Sequence, residues 1–254
     1  MKRTQRHHLK ENELALTVAR TRDTFERHRR TITIATVAIL VITVALGGYW
    51  IWRERANQQA GDALASAMII LEAPVVPAAD ATPAADGTTP APPPAAPGTF
   101  TTEKARLEAA LPKLTAAADA HPSTAAGIAA RYHAAATLAL LGRHTEAEQR
   151  YKEVIERDSK GLYGNMARLG LAEVQARAGN YDSAITAWRD LTTRTDAEIP
   201  VDGALMQLGR TYVMAGRTAD AVQTFTRIVD EFPESVYAQT ARQELDSLEA
   251  PAPQ

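Results

Sequence analysis

The stretch that decides the fold is DGALMQLGRTYVMAGRTADAVQTFTRIVDEFPES, residues 202–235. Its chemical pattern occurs twice more upstream, each time at an interval of 37 residues. The recurring sets are a small residue (Ala135, Ala172, Gly209), a glycine (Gly142, Gly179, Gly216), an alanine (Ala147, Ala184, Ala221), an aromatic residue (Tyr151, Trp188, Phe225) and an aliphatic residue (Val154, Leu191, Ile228). Five positions that keep their chemical type at one interval indicate internal duplication.

Each type of residue has a physical role in a pair of packed helices. Small residues in both helices allow the helices to approach closely, and the glycine predicts a left-handed C-cap in the turn between them. The aromatic residue and the aliphatic residue three positions later share one face of the second helix, where they fill the space between repeats. We therefore predict three helical hairpins, at about residues 128–161, 165–198 and 202–235, stacked as a solenoid.

These repeats resemble the tetratricopeptide repeat family, whose pattern combines the small residue, the turn, the alanine and the aromatic residue with a late proline. The third repeat matches best, because it also carries Leu208, Tyr212 and Pro233. The resemblance implies an all-α fold and a protein-binding scaffold that catalyses nothing.

A further half-repeat is predicted upstream. Ala110, Leu114 and Ala117 occupy second-helix positions one period earlier, so residues 102–120 would be a second helix and residues 56–72 its first. Pro112 is expected to kink the former helix, and residues 236–249 should form a terminal helix with a polar outer side. The predicted fold class is all-α, with an N-terminal transmembrane helix and a solenoid of about three to four hairpins.

Residues 31–52, TITIATVAILVITVALGGYWIW, contain no charged residue. A helix of that length crosses a hydrocarbon core of ~30 Å, and Tyr49, Trp50 and Trp52 suit an interfacial aromatic belt. A cleaved signal peptide is disfavoured because Trp52-Arg53-Glu54-Arg55 follows the apolar run, rather than a small-residue cleavage site. We predict a retained anchor.

Charge predicts the orientation of this anchor. Residues 1–30 hold nine Lys/Arg against four Asp/Glu, and the remainder of the chain holds 19 against 26. The basic flank should stay in the cytoplasm, which places the C-terminal part outside it, in the periplasm or its equivalent. The acidic remainder argues against nucleic acid as the main ligand.

The chain divides by composition. The predicted segments are a basic cytoplasmic segment (1–30), the transmembrane helix (31–52), a helix leaving the membrane (53–73), a Pro/Ala-rich linker (74–98), the repeat domain (99–250) and a tail (251–254). The linker holds eight of the fourteen prolines, so it cannot be a packed element. It is either a spacer between the membrane and the domain or a tolerated insertion in a loop.

Recognisable catalytic and metal-binding patterns are absent from the sequence. The chain has no cysteine, no HExxH, no phosphate loop and no GxSxG. We predict no catalytic residue, no metal and no cofactor.

By analogy with the family, the first helices of the repeats line a partner-binding groove. The candidate groove residues are Tyr132, His133, Ala136, Met166, Leu169, Glu173, Met206, Gln207, Arg210 and Val213. The Lys/Asn clamp that some tetratricopeptide domains use for C-terminal carboxylates is missing, which leaves a surface suited to apolar segments of a partner. Alternatively, these side chains pack against residues 56–72 or the linker of the same chain.

The whole arrangement of basic segment, single span and exported repeats resembles the ancillary subunit of the bacterial Sec translocon. That resemblance implies translocon subunits, chaperones or exported polypeptides as partners. The ending FPESVYAQTARQEL is also similar to repeats of a Tol-Pal-associated cell-division coordinator and of outer-membrane assembly lipoproteins. The alternative is therefore an envelope-assembly or division scaffold that forms a homo-oligomer, and a third option is a sensor whose basic segment recruits a signalling protein.

Overall fold

The computed structural model describes residues 29–76, 97–193 and 199–249, and these residues form helices joined by short connections. The helices are α1 (Arg29–Leu71), α2 (Glu103–Ala120), α3 (Ala125–Leu140), α4 (His144–Arg157), α5 (Leu162–Arg177), α6 (Tyr181–Thr193), α7 (Val201–Met214), α8 (Thr218–Glu231) and α9 (Ala238–Glu249). The predicted all-α class is confirmed. The basic segment up to residue 28, most of the Pro/Ala-rich linker (77–96), the loop 194–198 and the tail lie outside the described residues.

The chain separates into two compact units, Met1–Arg55 and Ala56–Gln254. In the first unit, the described residues form the initial part of α1. Every side chain described there is exposed, including Leu40 and Trp50 at 64% and 72%. Within the described part of the chain, this is one helix that is long and apolar enough to cross a membrane.

In the second unit, each helix from α2 to α9 packs against the next, and α3 also contacts α5. Three turns repeat one geometry. Gly142, Gly179 and Gly216 have φ of 75°, 81° and 70°, the left-handed conformation predicted for the C-caps. At the first turn, the Arg143 N–H donates to the Leu138 carbonyl at 2.9 Å, and the Gly142 N–H donates to the Ala139 carbonyl at 3.0 Å. This Schellman arrangement satisfies the last carbonyls of α3 and starts the return helix.

The repeat-packing residues lie in the cores between helices. Buried positions are Ala135, Ala147, Tyr151, Ala172, Ala184, Trp188, Gly209, Ala221 and Phe225. The contact between Gly209 and Phe225 is close, because a Cβ on Gly209 would lie 2.4 Å from Cε1 of the ring. An alanine at this position would displace the ring, so the glycine lets α8 approach α7.

The end of α1 packs against the helices that follow the Pro/Ala-rich linker. Ala67 shares an apolar cluster with Ala110 and Leu114 of α2 and Ala134 of α3. The two ends of the linker are also joined, by a parallel bridge between Val75 and Phe100. The structure thus brings together the two halves of the upstream hairpin. Helix α2 continues through Pro112, where the sequence predicted a kink.

Candidate partner-binding groove

A groove opens between α3 and α5, and we call it the α3–α5 groove. It has a volume of about 330 Å³. Its lining comes from α3 (Tyr132, Ala136, Ala139, Leu140), α4 (Tyr151) and α5 (Met166, Leu169, Gly170, Glu173, Val174, Arg177). Most of these side chains are apolar, with phenol hydroxyls and one carboxylate–guanidinium pair among them.

Tyr151 reaches this groove from the neighbouring helix because α5 has no side chain at residue 170. A Cβ on Gly170 would lie 2.4 Å from Cζ and 2.7 Å from the hydroxyl oxygen of Tyr151. The Tyr151 ring is only 4% exposed, and the Tyr132 ring packs beside it with centroids 6.0 Å apart. The two phenols therefore lie side by side at the same groove.

Polar groups of the groove sit close to these phenols. The Arg177 guanidinium donates to the Glu173 carboxylate through Nη2 at 2.7 Å and Nε at 3.1 Å. Burial raises the pKa of Tyr132, with smaller contributions from Tyr163 and Glu173. Burial also raises the pKa of Tyr151, assisted by Tyr132 and Glu173. Both phenols consequently stay protonated at neutral pH and can donate hydrogen bonds.

A second cavity of about 370 Å³ shares two α5 residues, Met166 and Leu169, with the α3–α5 groove. Its remaining lining consists of Lys160, Gly161, Leu162, Asn165, Ile199 and Pro200. Leu162 is 69% exposed at this position. Met166 and Leu169 therefore line both cavities.

Of the candidate groove residues, the structure brings Tyr132, Ala136, Met166, Leu169 and Glu173 together in the α3–α5 groove. His133 is not part of this lining. Its ring packs edge-on to Tyr132 and Tyr163, with centroids 5.4 Å and 6.3 Å away. Burial lowers the pKa of His133, and the charge of Glu72 opposes part of that shift.

The candidate residues of α7 lie elsewhere. Gln207, Arg210 and Val213 are exposed, and Arg210 Nε lies 3.5 Å from the Glu244 carboxylate of α9. Met206 requires a correction, because it is fully buried and cannot meet a partner. It belongs to an apolar cluster that also includes Ile199 and, on the terminal helix, Leu245, so the terminal helix covers this part of α7.

Sequence reasoning assigned Tyr151 to repeat packing alone and so missed its place in the groove. The available signal was chemical. At the same repeat position the chain has Trp188 and Phe225, and Tyr151 is the member of this set with a hydroxyl group.

Known proteins match the repeats. The tetratricopeptide repeat family matches residues 141–198 and 169–236, and a second description of the same repeat matches residues 128–153. The segment 128–236 therefore consists of tetratricopeptide repeats. Proteins with this fold are typically scaffolds that bind other proteins. A comparison with curated proteins found no match.

Solved structures with helical repeats are also similar. A tetratricopeptide repeat protein from Parabacteroides merdae is 20% identical with a TM-score of 0.47, over 57% of this chain and 55% of that one. MamA (residue 41 to the end) from Desulfovibrio magneticus is 20% identical with a TM-score of 0.46, over 56% of this chain and 74% of that one. The chain thus spans about half the length of the first of these.

Proposed function

We propose that this protein is a membrane-anchored scaffold, without enzymatic activity, that binds other proteins in the α3–α5 groove. The observation that carries this proposal is an open, mainly apolar groove built on tetratricopeptide repeats. An apolar recess with a few convergent polar groups is typical of a binding site. Met166 adds a side chain that adapts to different apolar partners.

The anchor in this proposal is the uncharged run 31–52. Its support is that the described apolar side chains in this part of α1 are exposed and would contact water if no membrane surrounded them. The flanking charges favour a cytoplasmic N-terminus, with the repeats on the outer side of the cytoplasmic membrane.

The partners proposed are the Sec translocon, exported polypeptides and extracytoplasmic chaperones, which the scaffold would link. The support is the order of segments in the sequence, together with a mainly apolar groove suited to apolar stretches of unfolded chains.

A second candidate is an envelope-assembly or division scaffold that acts through self-association. One observation favours it. Val236 is 85% exposed in the turn before the terminal helix, and the terminal element of a repeat array is the one to which further copies can add.

Photocrosslinking in native membranes tests both candidates. Photoreactive residues are placed at Met166 and Leu169 in the groove, at Val236, and at the exposed Glu156 of α4 as a control. Adducts from the groove positions with translocon subunits, chaperones or exported chains support the linking function. Adducts of the protein with itself, mainly from Val236, favour the assembly scaffold. Equal labelling from Glu156 would reject the groove as the binding site.

A further inference from the structure

We propose that a recess between α6, α7 and α8 is a second docking site, separate from the α3–α5 groove, which binds the carboxylate side chain of an acidic segment on a partner protein. Arg189 is the residue that receives this carboxylate. The inference rests on the proposed function, because a scaffold that links two proteins needs two separate binding sites.

The recess, which we call the α6–α8 recess, has a volume of about 280 Å³. Its lining comes from α6 (Arg189, Thr192, Thr193), α7 (Leu208, Tyr212) and α8 (Asp220, Gln223, Thr224, Arg227). None of these residues lines the α3–α5 groove or the second cavity. The volume is just below the ~300–1,000 Å³ typical of small-molecule sites, so the recess suits a single side chain better than a larger ligand.

The recess carries one positive charge without a carboxylate beside it. The Arg227 guanidinium donates two hydrogen bonds to Glu231, at 2.8 Å and 3.0 Å, and Asp220 accepts one from Arg217 at 2.8 Å. These two pairs are internally neutral. Among the residues that the structure describes, Arg189 forms an ion pair with none.

The corresponding cation of the preceding repeat does have a partner inside the protein. Lys152 lies one period of 37 residues before Arg189, and its Nζ is 2.8 Å from the Glu148 carboxylate. One period after Glu148 the chain has Ile185, which is only 3% exposed. Because the internal carboxylate is replaced by an apolar side chain, Arg189 is left for a carboxylate from another molecule.

The Tyr212 ring holds Arg189 at the recess. Cζ of Arg189 lies 5.7 Å from the ring centroid, within the range of a cation–π interaction. Tyr212 is 2% exposed, so packing fixes the ring. The side chain of Arg189 is exposed, and its planar fork can donate two hydrogen bonds to one carboxylate. The exposed amide of Gln223 adds a further donor at the same recess.

The charge of the recess favours a carboxylate over a phosphate. A phosphate monoester carries a charge of about −1.5 to −2 at neutral pH, and the Asp220 carboxylate in the same lining opposes a second negative charge. A glutamate side chain carries one charge. Its methylene groups can pack against Leu208, which is the apolar part of the lining.

The test uses the full chain in nanodiscs of zwitterionic lipid and a fluorescent peptide, GSEGEGEGSG, with empty nanodiscs as the blank. Fluorescence anisotropy at low ionic strength should show saturable binding that weakens as salt is added. The matched peptide GSQGQGQGSG should not bind. Arg189→Gln should weaken binding of the glutamate peptide roughly five-fold, the upper end for an exposed ion pair.

Three further variants separate this site from other effects. Arg242→Gln makes the same change of net charge at an exposed arginine of α9 outside the recess, and should leave binding unchanged. Arg189→Lys keeps the charge but loses the planar fork, so its affinity should fall between those of wild type and Arg189→Gln. Met166→Arg obstructs the α3–α5 groove and should leave binding of the glutamate peptide unchanged.

The proposal is overturned if the glutamate peptide does not bind, if Arg189→Gln and Arg242→Gln bind it equally, or if the glutamine peptide binds as tightly. Tighter binding of a peptide with phosphoserine in place of the central glutamate would also overturn it, in favour of a phosphate site. Any of these results together with groove adducts from Met166 in membranes would reject the second site and retain the scaffold function. Arg189-dependent binding of the glutamate peptide without groove adducts would reject the groove and retain the recess.

Discussion

The guanidinium of Arg131 on α3 donates a hydrogen bond over 3.1 Å to the carboxylate of Asp119 on α2, although Arg131 is only 3% exposed. Its Nη2 also donates to the Ala118 carbonyl at 3.1 Å, and its Nε lies 3.1 Å from the Glu153 carboxylate of α4. A single buried cation therefore joins three consecutive helices, and it fixes α2 to the first complete repeat.

Removing the two carboxylates should be more harmful than removing the cation. The double change Asp119→Asn with Glu153→Gln leaves Arg131 charged and buried, and should lower the free energy of unfolding by about 2–3 kcal/mol. Arg131→Met should change it by less than about 1 kcal/mol, because both carboxylates stay partly exposed and close to Arg150. Urea unfolding followed by the fluorescence of buried Trp188 measures both. The expectation would be wrong if Arg131→Met lowered the free energy of unfolding as much as the double variant does, or more.

The turn glycines should tolerate no side chain. Gly216→Ala places a Cβ in a left-handed conformation, at φ 70°, and should lower the free energy of unfolding by roughly 1–2 kcal/mol. Gly61→Ala is the matched control, because Gly61 lies within α1 and a Cβ there would meet nothing within 4 Å. It should raise stability by roughly 0.5–1 kcal/mol. A destabilised Gly61→Ala, or an unaffected Gly216→Ala, would show that local packing outweighs backbone conformation.

Stability should fall as the pH drops below the usual pKa of histidine. Burial lowers the pKa of His133 in the folded protein, so the unfolded chain binds a proton more readily. The contribution of neutral His133 to the free energy of unfolding is therefore fully present above pH ~6.5. It declines as the pH falls towards the lowered pKa of His133 in the folded protein. Urea midpoints at pH 7.5 and pH 5.5 should differ less in His133→Gln than in the wild type. An identical pH dependence in the two proteins would assign the loss to other groups.

Orientation can be tested because the chain has no cysteine. Single cysteines replace Thr4 and the exposed Glu156, and intact cells are treated with a membrane-impermeant maleimide. The cysteine at residue 156 should be labelled, and the one at residue 4 only after the cells are lysed. The reverse pattern would invert the proposed topology, and labelling of both in intact cells would exclude an anchor of the proposed kind.

The repeat fold could be predicted because its determinants recur in the sequence. Glycine and alanine recur at one interval of 37 residues, and that interval located the turns at Gly142, Gly179 and Gly216. The upstream hairpin was predictable for the same reason, from Ala110 and Leu114, even though the Pro/Ala-rich linker, residues 74–98, interrupts it.

The candidate groove was predictable only in part, because the exposure of a helix depends on its neighbours in space as well as on its own residues. Met206 has the same register as Tyr132 and Leu169, which line the groove. Residues of the terminal helix, Leu245 among them, join its apolar cluster, and it is fully buried. Conversely, Tyr151 has a packing position and still reaches the groove, because Gly170 on a different helix leaves room for it. Neither relationship is visible from spacing alone.

The bridge between Val75 and Phe100 has a practical consequence for anyone who wishes to label this protein in living cells. Because the Pro/Ala-rich segment leaves and re-enters one hairpin at neighbouring points, its length does not set the distance between any two helices. Doubling a loop of this kind changes its closure entropy by only ~0.6 kcal/mol. A fluorescent protein whose own ends lie close together could therefore be inserted after Ala85, as a reporter that leaves the groove intact and both termini free.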